Sequence, residues 1–172
     1  AGMIGLSVLA NVVRAGAKNI WMSDLDEDRL KIAKEMGATR VINAKEDVVK
    51  IIREEAGYEG VDVAFEAVGI EASLRTCMDI IRKGARIVVI GVFGEESKIK
   101  SAIVQDWEME LIGSLMYTRR DLKEAITLLA NQEFPADTII GKVFPLTEAD
   151  KAFDYARNNK TDIKILLEIN KE

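Results

Sequence analysis

The sequence predicts a doubly wound, parallel α/β fold with a small segment appended at its carboxyl end. Three observations support this prediction. Short apolar runs alternate with amphipathic runs of about 10 to 14 residues, turn residues separate them, and a glycine turn opens the chain. Strands that alternate with helices in this way require a parallel sheet with helices on both faces.

The opening stretch has the pattern of the later part of a dinucleotide-binding fingerprint. Gly2 and Gly5 stand in the order of the last two glycines of a GxGxxG turn, and a helix follows with apolar residues at helical spacing. Gly16 is placed to end this helix, and a short apolar strand then leads to Asp24. The first glycine and the strand that should precede it are absent, so we expect a longer parent protein. An ordinary βα turn is the alternative.

Asp24 carries the most specific functional prediction of this stretch. A carboxylate at the end of the second strand can accept hydrogen bonds from both hydroxyls of an adenosine ribose, and it repels a 2′-phosphate, which favours NAD over NADP. Helix capping is the alternative role for Asp24 or Asp26; we assign the cap to Asp26 and the ribose to Asp24. Arg29 lies one turn further on, within reach of the ribose. An arginine here can also admit NADP, and a solvated surface arginine is an equal alternative.

The other elements follow from the same periodicity. After the helix that Asp26 caps and Gly37 ends, we predict strands at residues 40–42, 61–67, 86–90, 110–115, 138–144 and 163–169. Helices are predicted at residues 45–56, 71–82, 121–131 and 147–159, with a polar loop at residues 91–98. Because the regular alternation ends late in the chain, we place a boundary near Leu115. Residues 1–115 form the predicted NAD-binding domain, and residues 116–172 form the appended segment.

Two segments are predicted to lie at the carboxyl edge of the sheet, where open α/β folds bind ligands. The first, VDVAFEAVG, places Ala67 and Val68 to pack on the adenine, with a purely structural core role as the alternative. Gly91, Val92 and Phe93 leave the next strand nearer the nicotinamide end.

Composition excludes several classes of protein. The hydrophobic content of 48% suffices for a folded core. The net charge of -5 without a basic stripe argues against nucleic acid binding. We also expect no membrane span, because no apolar run approaches about 20 residues. The single cysteine, Cys77, is predicted to be buried packing, and it suits a reducing compartment; we expect the parent protein to be cytoplasmic.

Residue counts also exclude several kinds of catalytic site. The chain has no histidine and one cysteine, so its own residues cannot build a Cys/His zinc site, a Ser-His-Asp triad or a Cys-His pair. A short-chain dehydrogenase is excluded as well, since no tyrosine is followed four positions later by lysine.

The order of segments resembles that of a known family. AGMIGL, SDLDEDRLKIAKEMGA, VDVAFEAVG, GARIVVIGVFG, ELIGSLMYTRRDLKEAITLLA, VFPLTEADKAF and DIKILLEI together are similar to the carboxyl-terminal half of medium-chain, zinc-dependent alcohol and polyol dehydrogenases. Within this family the sequence resembles the sorbitol, butanediol and threonine dehydrogenases. The likeness is collinear and covers essentially the whole chain.

The resemblance implies a set of coenzyme contacts in this chain. By position, Asp24 would meet the adenosine ribose with Arg29 beside it, and Lys164 would reach a phosphate unless it is a plain surface lysine. The residues that would face the pyrophosphate are Gly2, Met3, Ile4 and Gly5. Those that would flank the nicotinamide are Gly91, Val92, Phe93, Leu115, Met116 and Tyr117.

The resemblance also implies the chemistry and the partners. In this family zinc binds the substrate alcohol while the nicotinamide takes a hydride. The zinc ligands and the proton relay belong to the amino-terminal half, so we expect no catalytic or metal-binding residues here and no activity from this chain alone. The substrate, a small alcohol or polyol, would bind through that half. A homodimer or tetramer would form through the strand near Glu110 to Leu115.

Two alternative functions remain open from the sequence. One is a zinc-free medium-chain quinone or enoyl reductase; such enzymes usually prefer NADP, and Asp24 argues against that preference. The other is a non-catalytic module that senses a dinucleotide, which the long collinear segment after Leu115 disfavours.

Overall fold

The computed structural model describes residues 1–159 and 161–169 and confirms an alternation of helices with parallel strands. The strands are β1 (Trp21–Asp24), β2 (Arg40–Asn43), β3 (Val61–Glu66), β4 (Ile81–Val89), β5 (Glu110–Gly113), β6 (Ile140–Pro145) and β7 (Lys164–Glu168). The helices are α1 (Met3–Arg14), α2 (Glu27–Glu35), α3 (Val48–Ala56), α4 (Glu71–Ile80), α5 (Ser101–Asp106), α6 (Arg119–Ala130), α7 (Ala136–Ile139) and α8 (Ala149–Asn158). A 3₁₀ turn, Leu146–Glu148, precedes α8.

The described strands pair in three separate sheets, β1–β2, β3–β4–β5 and β6–β7, and every pair is parallel. Residues 44–117 form one compact unit, and residues 1–43 form a second unit with the chain from Thr118 onward. The predicted boundary near Leu115 lies close to the end of the first of these units. The assignment of residues 1–115 and 116–172 to two domains stays a prediction.

In the unit that contains both chain ends, α1 and α2 bury their apolar faces in one core. Leu6 and Leu9 are almost fully buried there. Ala33 of α2 and Ile139 of α7 complete the same cluster. The side chain of Asp26 accepts hydrogen bonds from two amides of the first turn of α2, which confirms the predicted cap.

In the unit of residues 44–117, the core lies between α4 and the sheet β3–β4–β5. Leu74 and Met78 of α4 are buried, as are Ile81 and Ile87 of β4. Cys77 is buried among them, as predicted.

One arginine ties three segments of this unit together. The guanidinium of Arg53, on α3, donates to the carbonyls of Tyr58 and Glu59 in the following turn, at 2.6 and 2.9 Å. It also donates to Asp79 at the end of α4 and to Ile81 at the start of β4. One planar group with several donors therefore joins the turn after α3 to the end of α4 and the start of β4.

The predicted helix at residues 71–82 is too long. Helix α4 ends at Ile80, and Ile81 is already extended, with φ −77° and ψ 149°. Ile81 is fully buried and pairs with Val61 of β3. Burial and strand pairing therefore override the helical periodicity that continues to Arg82.

Other boundaries also differ from the predicted ones. Helix α5, which has six residues and follows the predicted polar loop, was not predicted. Residues 136–139, partly predicted as strand, form the single turn α7, since this turn places Ile139 in the core. Helix α3 begins at Val48, where Asp47 caps it, and the predicted helix at residues 147–159 begins as a 3₁₀ turn.

Candidate functional site

The predicted pyrophosphate residues lie at the amino end of α1. Gly2 is the N-cap, no side chain caps this helix, and the first helical hydrogen bond runs from the Leu6 N–H to the Gly2 carbonyl at 2.9 Å. The amides of Met3, Ile4 and Gly5 therefore precede the hydrogen-bonded ladder. A Cβ added at Gly2 would meet no described atom within 4 Å. This helix end has the free donors and the space that a phosphate needs.

Asp24 lies beside that helix end. It is the last residue of β1, and its Oδ2 accepts a hydrogen bond of 2.6 Å from the amino group of Ala1, the residue before Gly2. Its Oδ1 accepts from the Asp26 N–H at 3.0 Å. The structure therefore brings the acidic residue and the glycine turn together.

The Asp24 carboxylate is held in its ionised form. Partial burial acts against the charge, but hydrogen bonds from the terminal ammonium group of Ala1 and from the Asp26 amide, with the charges of that ammonium group and of Arg29, outweigh it and lower the pKa of Asp24 below its ordinary value. An ionised carboxylate accepts from hydroxyl groups and repels phosphate.

Arg29 belongs to the same neighbourhood. It lies in the first turn of α2, where its N–H donates to the Asp26 side chain at 3.2 Å. Its side chain is half-buried, and its Nε finds no acceptor among the described residues. The guanidinium thus has a donor left for another group. Lys164, the first residue of β7, has an exposed side chain, and its contact with a phosphate stays a prediction.

The other predicted contact residues lie in the unit of residues 44–117, at one edge of its sheet. Strands β3, β4 and β5 are parallel, so their carboxyl ends meet at the same edge. The segments that follow these ends are Ala67 and Val68 after β3, Gly91, Val92 and Phe93 after β4, and Leu115, Met116 and Tyr117 after β5. The Ser114 N–H donates to the Val89 carbonyl at 2.8 Å and so extends the pairing of β4 and β5 to this edge.

Several apolar side chains of this edge are open to solvent. Val68 is 65% exposed and Val92 is 82% exposed. Leu115, Met116 and Tyr117 are 83, 77 and 68% exposed, and Met116 has a left-handed backbone with φ 60°. A cluster of exposed large apolar groups is typical of a binding surface.

Glu66, which is not among the predicted site residues, is a buried polar residue at the centre of this edge. It is 1% exposed and ends β3. Its Oε1 accepts hydrogen bonds from the amides of Val68 and Gly69, at 2.8 and 2.9 Å, and from the Ser73 hydroxyl at 2.6 Å. One signal in the sequence could have found it, namely a carboxylate at the end of a mostly apolar strand.

The residues of this chain do not fit a zinc ion. Histidine is absent, and burial, followed by the charge of Glu66, raises the pKa of the one cysteine, Cys77, to about 12. Among residues 1–159 and 161–169, no three or more acidic, cysteine or histidine side chains are grouped so that they could hold a metal. None of the helices in the described part of the chain has both the length and the apolar character needed to cross a membrane.

The parallel strands, the helices between them and the polar groups gathered at strand ends define the class of open, parallel α/β proteins. Within that class the chain belongs to the zinc-binding dehydrogenase family, whose family model matches residues 4–131. The predicted resemblance to alcohol and polyol dehydrogenases is thereby confirmed.

Individual relatives agree with this family. The erythritol/L-threitol dehydrogenase of Mycolicibacterium smegmatis is 31% identical over 168 residues, which cover 96% of this chain and 46% of that protein. Among solved structures, 2R,3R-butanediol dehydrogenase from Bacillus subtilis superposes with a TM-score of 0.89 at 28% identity, covering 98% of this chain and 49% of its own.

A zinc-binding dehydrogenase from Sinorhizobium meliloti, solved with NADP bound, gives a TM-score of 0.87 at 26% identity, covering 96% of this chain and 49% of its own. The chain therefore spans about half the length of the relatives that it matches.

Proposed function

We propose that this chain binds NAD as the coenzyme-binding part of a zinc-dependent alcohol or polyol dehydrogenase. The observation that carries the proposal is the position of Asp24 beside the uncapped amino end of α1. The free amides of this helix end would hold the pyrophosphate, and Asp24 would accept hydrogen bonds from the adenosine ribose.

The edge formed by β3, β4 and β5 supports the nicotinamide side of the proposal. Val92, Met116 and Tyr117 are exposed there, and Phe93 is partly exposed. Apolar groups at the carboxyl ends of parallel strands suit a planar ring. Ala67 and Val68 would pack on the adenine.

We propose a preference for NAD over NADP. Asp24, at the end of β1, would place a carboxylate where a 2′-phosphate would have to lie. The free Nε of Arg29 would favour NADP, because it can donate to a 2′-phosphate, and one relative was solved with NADP bound. We propose that the repulsion of a 2′-phosphate by Asp24 outweighs its attraction by Arg29, because the Asp24 carboxylate lies at the end of β1 itself.

The proposed chemistry divides between this chain and the rest of the enzyme. A bound nicotinamide supplies the hydride acceptor. The residues described above bind and orient the dinucleotide, whereas the zinc ligands and the group that moves the substrate proton would come from an amino-terminal half. This chain alone would then be inactive. Two relatives are named for erythritol, L-threitol and 2R,3R-butanediol, so we propose a secondary alcohol or diol as substrate.

The remaining proposals concern the domains of the protein, its assembly and its location in the cell. Residues 1–115 would form the NAD-binding domain, and residues 116–172 would return to the catalytic domain. We propose a homodimer or tetramer, joined through β5, and a cytoplasmic location, which the single reduced cysteine suits.

Isothermal titration calorimetry with NADH and NADPH tests the proposed function. We expect the unmodified chain to bind NADH at least about tenfold more tightly than NADPH, and Asp24→Asn to lose most of that preference, because the charge that repels the 2′-phosphate is gone. Asp28→Asn, a carboxylate on the exposed face of α2, is the matched control and should keep it. Equal affinity of the unmodified chain for both nucleotides would remove the role given to Asp24.

A further inference from the structure

The buried carboxylate of Glu66 holds the turn between β3 and helix α4. Its Oε1 accepts from the Val68 and Gly69 amides and from the Ser73 hydroxyl, while the N-cap of α4, Ile70, offers no side-chain acceptor. A negative charge at a helix amino end is favourable, and a buried carboxylate requires such donors. Glu66 therefore fixes the turn that carries Ala67 and Val68.

The same residue also holds the segment that leaves β4. The main-chain carbonyl of Glu66 accepts hydrogen bonds from the Ile90 and Gly91 amides, at 2.8 and 3.0 Å. Its Oε2 lies against Gly91, since a Cβ added there would approach this oxygen to 2.5 Å. Among the described residues, no donor lies within hydrogen-bond distance of Oε2. The absence of a side chain at position 91 therefore makes room for the carboxylate.

A second glycine completes this packing. Gly69 has a left-handed backbone with φ +84°, and a Cβ there would overlap the main chain of Val92. The turn after β3 and the segment after β4 thus pack backbone against backbone around Glu66. A shift of either one displaces the other.

We propose that Glu66 is a positioning residue for the coenzyme: its buried carboxylate holds the turn that bears Ala67 and Val68, and its main-chain carbonyl holds the segment that bears Val92 and Phe93. The proposal rests on the proposed NAD function. Glu66 itself is too deeply buried to touch a ligand. It acts through the two segments, because the distance between them sets where the adenine and the nicotinamide would bind.

The first measurement does not depend on any coenzyme. Amide hydrogen exchange of the free chain, followed by NMR, compares the unmodified protein with Glu66→Gln. A neutral amide oxygen is a weaker acceptor than a carboxylate, so we expect the Val68 and Gly69 amides to exchange about tenfold faster. The amide of Val88, in the pairing of β4 with β5, should keep its rate. Unchanged exchange at Val68 and Gly69 would overturn the proposal.

The second measurement separates positioning from a merely structural role. Calorimetry with NADH and with reduced nicotinamide mononucleotide, which lacks the adenosine half, is run on both proteins. We expect Glu66→Gln to weaken NADH by about tenfold and the mononucleotide by about threefold or less, because the loosened turn carries Ala67 and Val68 on the adenine side. A structural role alone would weaken both ligands equally or neither, and either result contradicts the proposal.

Two further variants keep the test decisive. Asp62→Asn removes an exposed carboxylate of the same strand, paired with Arg82 on the surface, and should change neither measurement. Should Glu66→Gln fail to fold, Ser73→Ala removes only one of the three donors to Oε1 and should raise the same two exchange rates by a smaller factor. If the unmodified chain binds no NADH, the proposed function fails, while the exchange measurement still decides the role of Glu66.

Discussion

The folded chain strongly changes the acidity of one side chain, the thiol of Cys77. Burial, followed by the negative charge of Glu66, raises the pKa of its thiol from 9.0 to about 12. A thiol needs its thiolate form to react, so the native environment suppresses the chemistry of the only cysteine in the chain.

We expect Cys77 to resist a thiol reagent such as DTNB at pH 8 and to react fully once urea unfolds the chain. Because the pKa is higher in the folded state, Cys77 contributes stability below about pH 9 that is lost as pH rises toward 12. Urea unfolding at pH 8 and pH 10.5 measures this loss, and Cys77→Ala should show a smaller one. Rapid labelling of the native chain at pH 8 would contradict the prediction.

At the scale of single elements, the start of helix α6 is encoded by a capping box within its own sequence. The Thr118 hydroxyl accepts from the Asp121 amide, and the Asp121 carboxylate accepts from the Thr118 amide, which together form a capping box. The hydrogen bonds that the Asp121 carboxylate accepts from the Thr118 amide and from the Thr118 hydroxyl lower the pKa of Asp121. The start of this helix is thus fixed by local chemistry, whatever packs on it.

Thr118→Ala should therefore lower the free energy of unfolding by about 1 kcal/mol, measured by urea denaturation at pH 7. The control is Thr127→Ala in the same helix, where the threonine hydroxyl bonds only to the Lys123 carbonyl. Alanine is the better helix former there, so this variant should be neutral or slightly more stable. Equal losses for the two variants would mean that the cap does not stabilise the chain.

Local signals of this kind explain which elements could be predicted from the sequence. The cap at Asp26 and the strand end at Asp24 are encoded within a few neighbouring residues, and both were predicted correctly. The change from α4 to β4 was missed because it depends on burial of Ile81 and on its pairing with Val61. Short helices such as α5 have too few turns to show a period.

The candidate site divides in the same way. Gly2 and Asp24 follow a spacing that can be counted along the chain, and Asp24 contacts Ala1, the residue before Gly2. Glu66 is marked in the sequence only as a carboxylate at the end of β3, because its partners lie up to 25 positions away, as Gly91 does. Arg53 likewise bonds to carbonyls at positions 79 and 81, which become neighbours only in the folded chain.

For the molecule as a whole, β5 is the most exposed strand of the described chain. It pairs only with β4, and all four of its residues, including Leu111 and Ile112, are exposed. An unpaired strand edge with apolar side chains is a ready template for another strand. This arrangement supports the proposed assembly of two copies through β5.

We expect Ile112→Lys to weaken self-association at least about tenfold, because a lysine on an edge strand opposes pairing. Sedimentation velocity over a concentration series measures the change. Ile126→Lys, at an exposed position of α6, is the matched control and should leave the assembly intact. A chain that stays monomeric at every concentration would contradict the proposed dimer.

Division of the described strands into three sheets also affects the handling of the chain. Three sheets have three times as many terminal strands as one continuous sheet, and the backbone groups along the outer edge of a terminal strand can pair with another chain. Net charge alone is then a poor guide to solubility. Storage at high concentration should depend more on shielding these backbone groups than on moving the pH away from the isoelectric point.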